Sequence, residues 1–189
     1  QLGLGASSAN MLTPTLVSGI TDVRSVSLSS GSAFAITGDG RTFSWGLNNR
    51  GQLGFGDTAN RNVPTATPLS MTVLADRVGA YASWSSLGVS KTGTLTGWGA
   101  NGYGQLGLGT TTTNQLTPTA AISPFSSGAI HMAVGDHAVV VTSAGGIWSW
   151  GNGTSGQLGD NTSTSRSTPV LAGTITSAWA PSAPAINIA

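Results

Sequence analysis

Trp98-Gly99-Ala100-Asn101-Gly102-Tyr103-Gly104-Gln105-Leu106-Gly107-Leu108-Gly109 has two close copies elsewhere in the chain. Upstream stands Trp45-Gly46-Leu47-Asn48-Asn49-Arg50-Gly51-Gln52-Leu53-Gly54-Phe55-Gly56-Asp57, and downstream Trp150-Gly151-Asn152-Gly153-Thr154-Ser155-Gly156-Gln157-Leu158-Gly159. The Gln-Leu-Gly core begins at Gln1, Gln52, Gln105 and Gln157, which gives spacings of 51, 53 and 52. Each Trp precedes its Gln by seven positions, and a proline (Pro14, Pro64, Pro118, Pro169) follows each Gln by 12 or 13. Landmarks in one order at one period identify tandem repeats, and a repeat architecture governs every later reading.

Inside each unit the local signals are those of strands. Ala33-Phe34-Ala35-Ile36 runs into Gly38-Asp39-Gly40 and out through Arg41 to Trp45. Leu87 to Val89 turns at Lys91-Thr92-Gly93 into Thr94 to Trp98, and Ala138 to Val141 turns at Ser143 to Gly146 into Ile147 to Trp150. Short apolar runs around glycine turns read as β-hairpins. Phe43 with Trp45, and Trp148 with Trp150, stand two apart and share a sheet face. The Gly/Asn-rich loop after each Trp suits positive φ. The proline that follows reads as the start of an extended edge strand. A unit of this length with several short strands and no helical period is one four-stranded propeller blade, so the fold class is all-β. The 189 residues form one repeat domain: a partial unit 1–14, repeats at about 15–64, 65–118 and 119–169, and a partial unit 170–189. One large ring at the same place in every blade is core packing, which assigns Trp45, Trp98 and Trp150 to the interior with Leu53, Leu106 and Leu158.

The combined Trp-Gly, Gly-Gln-Leu-Gly and Pro spacing resembles the repeat signature of the regulator of chromosome condensation family, over nearly the whole chain. The resemblance implies a seven-bladed β-propeller around a central channel. Family repeats usually carry a His before the hairpin, matched here by His137, whereas Ser32 and Ser85 occupy that place in the other units. Asn161 replaces the second glycine of the third loop, which is tolerable because Asn visits the left-handed region. Plant ultraviolet photoreceptors of this superfamily use a Gly-Trp-Arg-His-Thr motif. Ala82-Ser83-Trp84-Ser85 departs from it, and no Arg lies beside Trp84 in the sequence. Light sensing is therefore not expected, nor is the nucleotide-exchange activity of the founding member, whose partner-specific contacts find no match here.

Seven such units need roughly 360 residues, and this chain spans about 3.6 of them. Three completions are open: a longer propeller of which these residues are part, several chains completing a ring, or a smaller closed ring.

Composition narrows the function classes. Charged residues are 7%, with no Glu, six Asp, six Arg and the single lysine Lys91, for a net charge of +1. That leaves no basic footprint for nucleic acid or anionic membrane. The apolar runs are too short for a membrane-inserted helix. Zero Cys excludes thiol catalysis and thiolate zinc sites. The G-x-G-x-x-G matches at Gly97, Gly102 and Gly151 recur as blade loops, without the strand–loop–helix context of a dinucleotide site. Asp136-His137 lacks a nucleophile elbow, His131 with Asp136 makes no metal spacing, and Asp39 with Asp57 is the sort of pair a carboxylate mechanism would need. No enzyme, cofactor or metal site is expected. Asn152-Gly-Thr154 and Asn161-Thr-Ser163 fit the glycosylation pattern. Contact residues are expected at the variable loop positions. Arg50 and Tyr103, with Asn49 and Asn101 beside them, are the candidates; Trp84 and Trp179 are either buried or exposed anchors. The functional expectation is a binding or structural module for a protein partner or self-assembly. Its neutral Ser/Thr/Asn/Gly coat suits an extracellular or virion-like particle surface. Secreted propellers of this family that inhibit β-lactamases make a protein ligand plausible by resemblance. The alternatives are a cytoplasmic or nuclear regulatory propeller acting on a small GTPase or chromatin, and a carbohydrate-binding propeller stacking sugars on Trp84 or Tyr103.

Overall fold

Each apolar run folds as the hairpin its glycine turn dictates. The computed structural model describes residues 1–5, 11–29, 31–70, 84–89, 94–111, 114–120 and 128–174, and these hold strands and no helix. The first sheet has the order β1 (Val23–Leu28), β2 (Ser32–Thr37), β3 (Arg41–Gly46) and β4 (Arg61–Ser70). The second contains β5 (Ser85–Val89), β6 (Leu95–Gly99) and β7 (Gln115–Ala120). In the third, β8 (Ala129–Val134), β9 (His137–Thr142), β10 (Gly146–Gly151) and β11 (Arg166–Thr174) repeat the arrangement of the first. All pairs are antiparallel neighbours in sequence, the meander of a propeller blade. The segment that would precede β5 as a fourth strand, the turn at Lys91 and the ring of Trp179 lie outside the described residues.

The blades are offset from the sequence intervals. Three of the four landmark prolines stand fourth in an outer strand, at Pro64 of β4, Pro118 of β7 and Pro169 of β11, instead of opening it. Units cut at 64, 118 and 169 therefore end inside a strand. The register explains why proline is accepted there. Ser44 faces Thr65 but Gly46 faces Arg61, Gly97 faces Thr119 but Gly99 faces Gln115, and Ser149 faces Val170 but Gly151 faces Arg166. The outer strand takes four steps to the inner strand's two. Proline sits in this bulge, where a ladder N–H is already surplus.

The core lies between blades. Leu87, Val89 and Leu95 of the second pack with Val134, Ala138, Val140 and Trp150 of the third, and Trp148 is half-buried against them. Phe34 of the first meets Trp98 of the second edge-on, with ring centroids 6.0 Å apart. Ala33, Ala35, Phe43 and Trp45 form a further cluster on the other face of the first sheet. Trp98 and Trp150 are fully buried and Trp45 nearly so, as are Leu53, Leu106 and Leu158. Burying one such ring removes roughly 200 Å² from water, about 5 kcal/mol before entropy is counted.

The glycine after each Trp is fixed by geometry. Gly46, Gly99 and Gly151 take φ of +102°, +91° and +98°. A Cβ there would stand 2.2 Å from the Gly31 carbonyl oxygen, 2.3 Å from that of Trp84 and 2.7 Å from that of Asp136. Those same oxygens accept the N–H of Leu47, Ala100 and Asn152, so the chain leaves β3, β6 and β10 under one constraint. Asn161 also takes a left-handed φ, of 60°, in the place of the missing loop glycine. Gly99→Ala should cost at least about 2 kcal/mol, adding left-handed strain to a backbone clash. Urea denaturation checks this, and an unchanged midpoint would contradict it.

Candidate functional site

The signature loops stand together on one rim, because each leaves the C-terminal end of β3, β6 or β10 beside the turn that enters β2, β5 or β9. Their polar side chains are mostly spent on holding the loop. Asn48 and Asn101 are completely buried. The Asn48 side chain donates to the Asp57 carbonyl at 2.9 Å and accepts from Leu53 N–H at 2.8 Å. Asn101 does the same with Thr110 at 3.0 Å and Leu106 at 3.2 Å. In the third loop Gly153 takes this place, where a Cβ would stand 2.3 Å from the Thr164 carbonyl oxygen. The expected surface role of Asn101 is thereby corrected: its amide closes the loop from within and reaches no partner.

Gln52, Gln105 and Gln157 each accept through Oε1 from the N–H of the residue two before, Arg50, Tyr103 and Ser155, at 2.8, 2.9 and 2.8 Å. Backbone at that corner is pinned while the side chain faces water. Asn49 is exposed, and its oxygen accepts from the Gln52 amide at 3.3 Å. Tyr103 is 47% and Trp84 40% exposed.

The same glutamines join the blades through their main chain. The indole N–H of Trp45 donates to the Gln1 carbonyl at 3.0 Å, that of Trp98 to Gln52 at 2.8 Å and that of Trp150 to Gln105 at 2.8 Å. A second link runs from Gly5 N–H to Asn62, from Gly56 to Leu116 and from Gly109 to Ser167, at 2.9 to 3.0 Å, onto the outer strand of the next blade. Ser44 and Ser149 hydroxyls donate to the Leu53 and Leu158 carbonyls within their own loops.

Assembly across the blade boundary produces one contact that linear spacing hides. The Arg50 guanidinium lies over the Trp84 indole, 5.6 Å from its centroid. The absence of an Arg beside Trp84 holds in the sequence and fails in space, because the first loop overhangs the entry to β5. Aligning the units on their Trp places Gly31, Trp84 and Asp136 at one position. What that alignment lacks is the direction in which a loop leans.

The other charges brace turns. Asp39 accepts from the Thr37 hydroxyl and the Arg41 backbone and side chain, which holds its carboxyl down at about 2. Asp57 is lowered by bonds from Arg61 and the Ala59 N–H, and Asp160 by the Thr162 hydroxyl and Arg166. Arg61 also covers the Phe55 ring at 4.6 Å. Asp39 and Asp57 sit at opposite ends of β3 and cannot share a reacting group. His137 is half-buried at the start of β9 opposite Gly151, Asp136 is exposed before it, and His131 is half-buried on β8. Among the described residues no group of three His, Asp or Glu is placed to hold a metal. Asn152 is half-buried and turned back on Thr154, whereas Asn161 is exposed.

Family comparison fits this geometry. The profile described as the regulator of chromosome condensation (RCC1) repeat matches residues 39–80, 92–142 and 144–180, and a second profile of the same description matches 23–52. The chain is 31% identical over 168 residues to the probable E3 ubiquitin-protein ligase HERC6 of Homo sapiens, covering 84% of this chain and 16% of that one. It is 33% identical over 162 residues to the ultraviolet-B receptor UVR8 of Arabidopsis thaliana, covering 84% and 36%. It thus spans well under half the length of these relatives. The structure of Prp20p from Saccharomyces cerevisiae, a protein described with its binding to Gsp1p and histones, superposes with a TM-score of 0.72 at 23% identity, covering 82% of this chain and 39% of that one.

Trp150→Phe should destabilise by about 2–4 kcal/mol, since it leaves the buried Gln105 carbonyl unpaired as well as shrinking the ring. Denaturant titration reads this directly, and a loss below half a kilocalorie would mean that the indole N–H is dispensable.

Proposed function

The chain belongs to the regulator of chromosome condensation repeat family, and from that membership we propose that it is a non-enzymatic β-propeller segment that binds a protein partner through its signature-loop rim. One observation carries the reading. At the same corner of each loop the backbone is pinned by a glutamine while the side chain is exposed and different: Arg50, Tyr103, Ser155. A rigid frame presenting variable residues loses little entropy on binding, and Arg, Tyr and Trp are the residue types that anchor interfaces. The polar groups that chemistry would need are engaged in loop closure and blade linkage, which supports a binding role over catalysis.

We place this role on an exported or particle surface. Support comes from composition: with 7% charged residues, solubility must come from Ser, Thr, Asn and Gly, whereas a regulatory propeller steering a small GTPase or chromatin would want a strongly charged patch. The ligase and receptor activities named for the relatives belong to those proteins.

Retention of protein partners by the full chain tests the reading. The double variant Arg50→Ala/Tyr103→Ala should weaken retention at least about tenfold and shift Tm by no more than about 2 °C, since both side chains are exposed. Equal retention by the variant would remove the rim from consideration.

A further inference from the structure

Arg50 is the exception among the described arginines. Arg24, Arg41, Arg61 and Arg166 are ion-paired to Asp22, Asp39, Asp57 and Asp160 at 2.7 to 3.0 Å. Arg50 has no such pair among the described residues, and its guanidinium rests on the exposed indole of Trp84. A guanidinium stacked on a ring keeps its N–H donors in its own plane, directed outward, in the fork that matches a carboxylate. Trp84 itself is held against backbone preference, at φ 55°, a conformation rare for a bulky residue. Its carbonyl accepts the Ala100 N–H at 2.9 Å, which ties its backbone to the start of the second signature loop.

Resting on the protein-binding reading above, we infer that Arg50 and Trp84 form an anchor site for an acidic segment of a protein partner. An Asp or Glu side chain of that segment takes the Arg50 fork, while an apolar neighbour covers the exposed part of the Trp84 ring. Charge selects this occupant: Arg50 is the one arginine without a carboxylate partner among the described residues, and Asp136, the residue equivalent to Trp84, lies one blade further on. The guanidinium stands on one side of the indole at 5.6 Å from its centroid, and a neutral glycan there would leave that cation without a counter-charge.

Displayed libraries of short random peptides, panned against the full chain, supply the probe. Selected peptides should be rich in Asp and Glu, bind more weakly as salt rises, and lose about tenfold or more in affinity when their acids become amides. Arg50→Ala and Trp84→Gly should each cost about tenfold or more while leaving Tm within roughly 3 °C, because glycine accepts the left-handed φ that Trp resists. Peptides without acidic bias, or indifferent to both substitutions, overturn the anchor site and leave the protein-binding reading intact; if neither peptide nor protein partner is retained, both fall. Binding of neutral oligosaccharides that Trp84→Gly abolishes, or self-association that Arg50→Ala abolishes, overturns the assignment in favour of a glycan or a second copy. A Trp84→Gly protein melting many degrees lower makes the indole a packing residue and likewise overturns it.

Discussion

A buried indole N–H must find an acceptor, and the signature indoles Trp45, Trp98 and Trp150 find it in the main chain of the preceding unit. Trp98 and Trp150 donate to the main-chain oxygens of Gln52 and Gln105. The acceptor is a carbonyl, so the bond does not depend on a particular side chain at its far end. It depends on the loop being folded, and the loop is folded by the buried Asn48 or Asn101 amide and by the glutamine Oε1. Each ring therefore reports on the closure of the preceding loop. A blade whose neighbour is disordered leaves a polar group unpaired in an apolar interior, which costs about 1–3 kcal/mol in addition to the lost burial. That penalty couples units which otherwise touch only their neighbours.

This coupling also explains the partition between interior and rim. Leu106, Asn101 and Gln105 are locked in one loop while Tyr103, between them, is free. Substitution at the corner changes the surface and leaves the hydrogen bonds alone, because the corner contributes only its N–H. The outer strands obey a similar economy. Pro64, Pro118 and Pro169 occupy bulges where no N–H is wanted, and the adjacent Asn62, Leu116 and Ser167 carbonyls take the second blade link.

Much of this was legible from spacing. The period and the glycine turns gave the hairpins, and recurrence of Trp45, Trp98 and Trp150 marked the interior. Three things were not legible. Asn101 looked like a surface residue because polarity suggests exposure, yet an amide can satisfy one donor and one acceptor of a tight loop and vanish inside it. Its echo at Asn48 was the available clue. The Arg50–Trp84 stack was hidden for another reason: the two residues are 34 apart, and their meeting depends on the direction in which one blade overhangs the next. A one-dimensional period carries no such handedness. Proline placement was misjudged for want of the register, which only the paired strand reveals.

Hydrogen exchange at the indole nitrogens tests the central claim most directly. Assigned Nε1–H resonances of Trp98 and Trp150 should exchange slowly and with nearly the same opening free energy, close to that of global unfolding. Exchange of either indole within minutes while backbone amides of β5, β6, β9 and β10 stay protected would show that the blades hold together without these bonds, and would contradict the account.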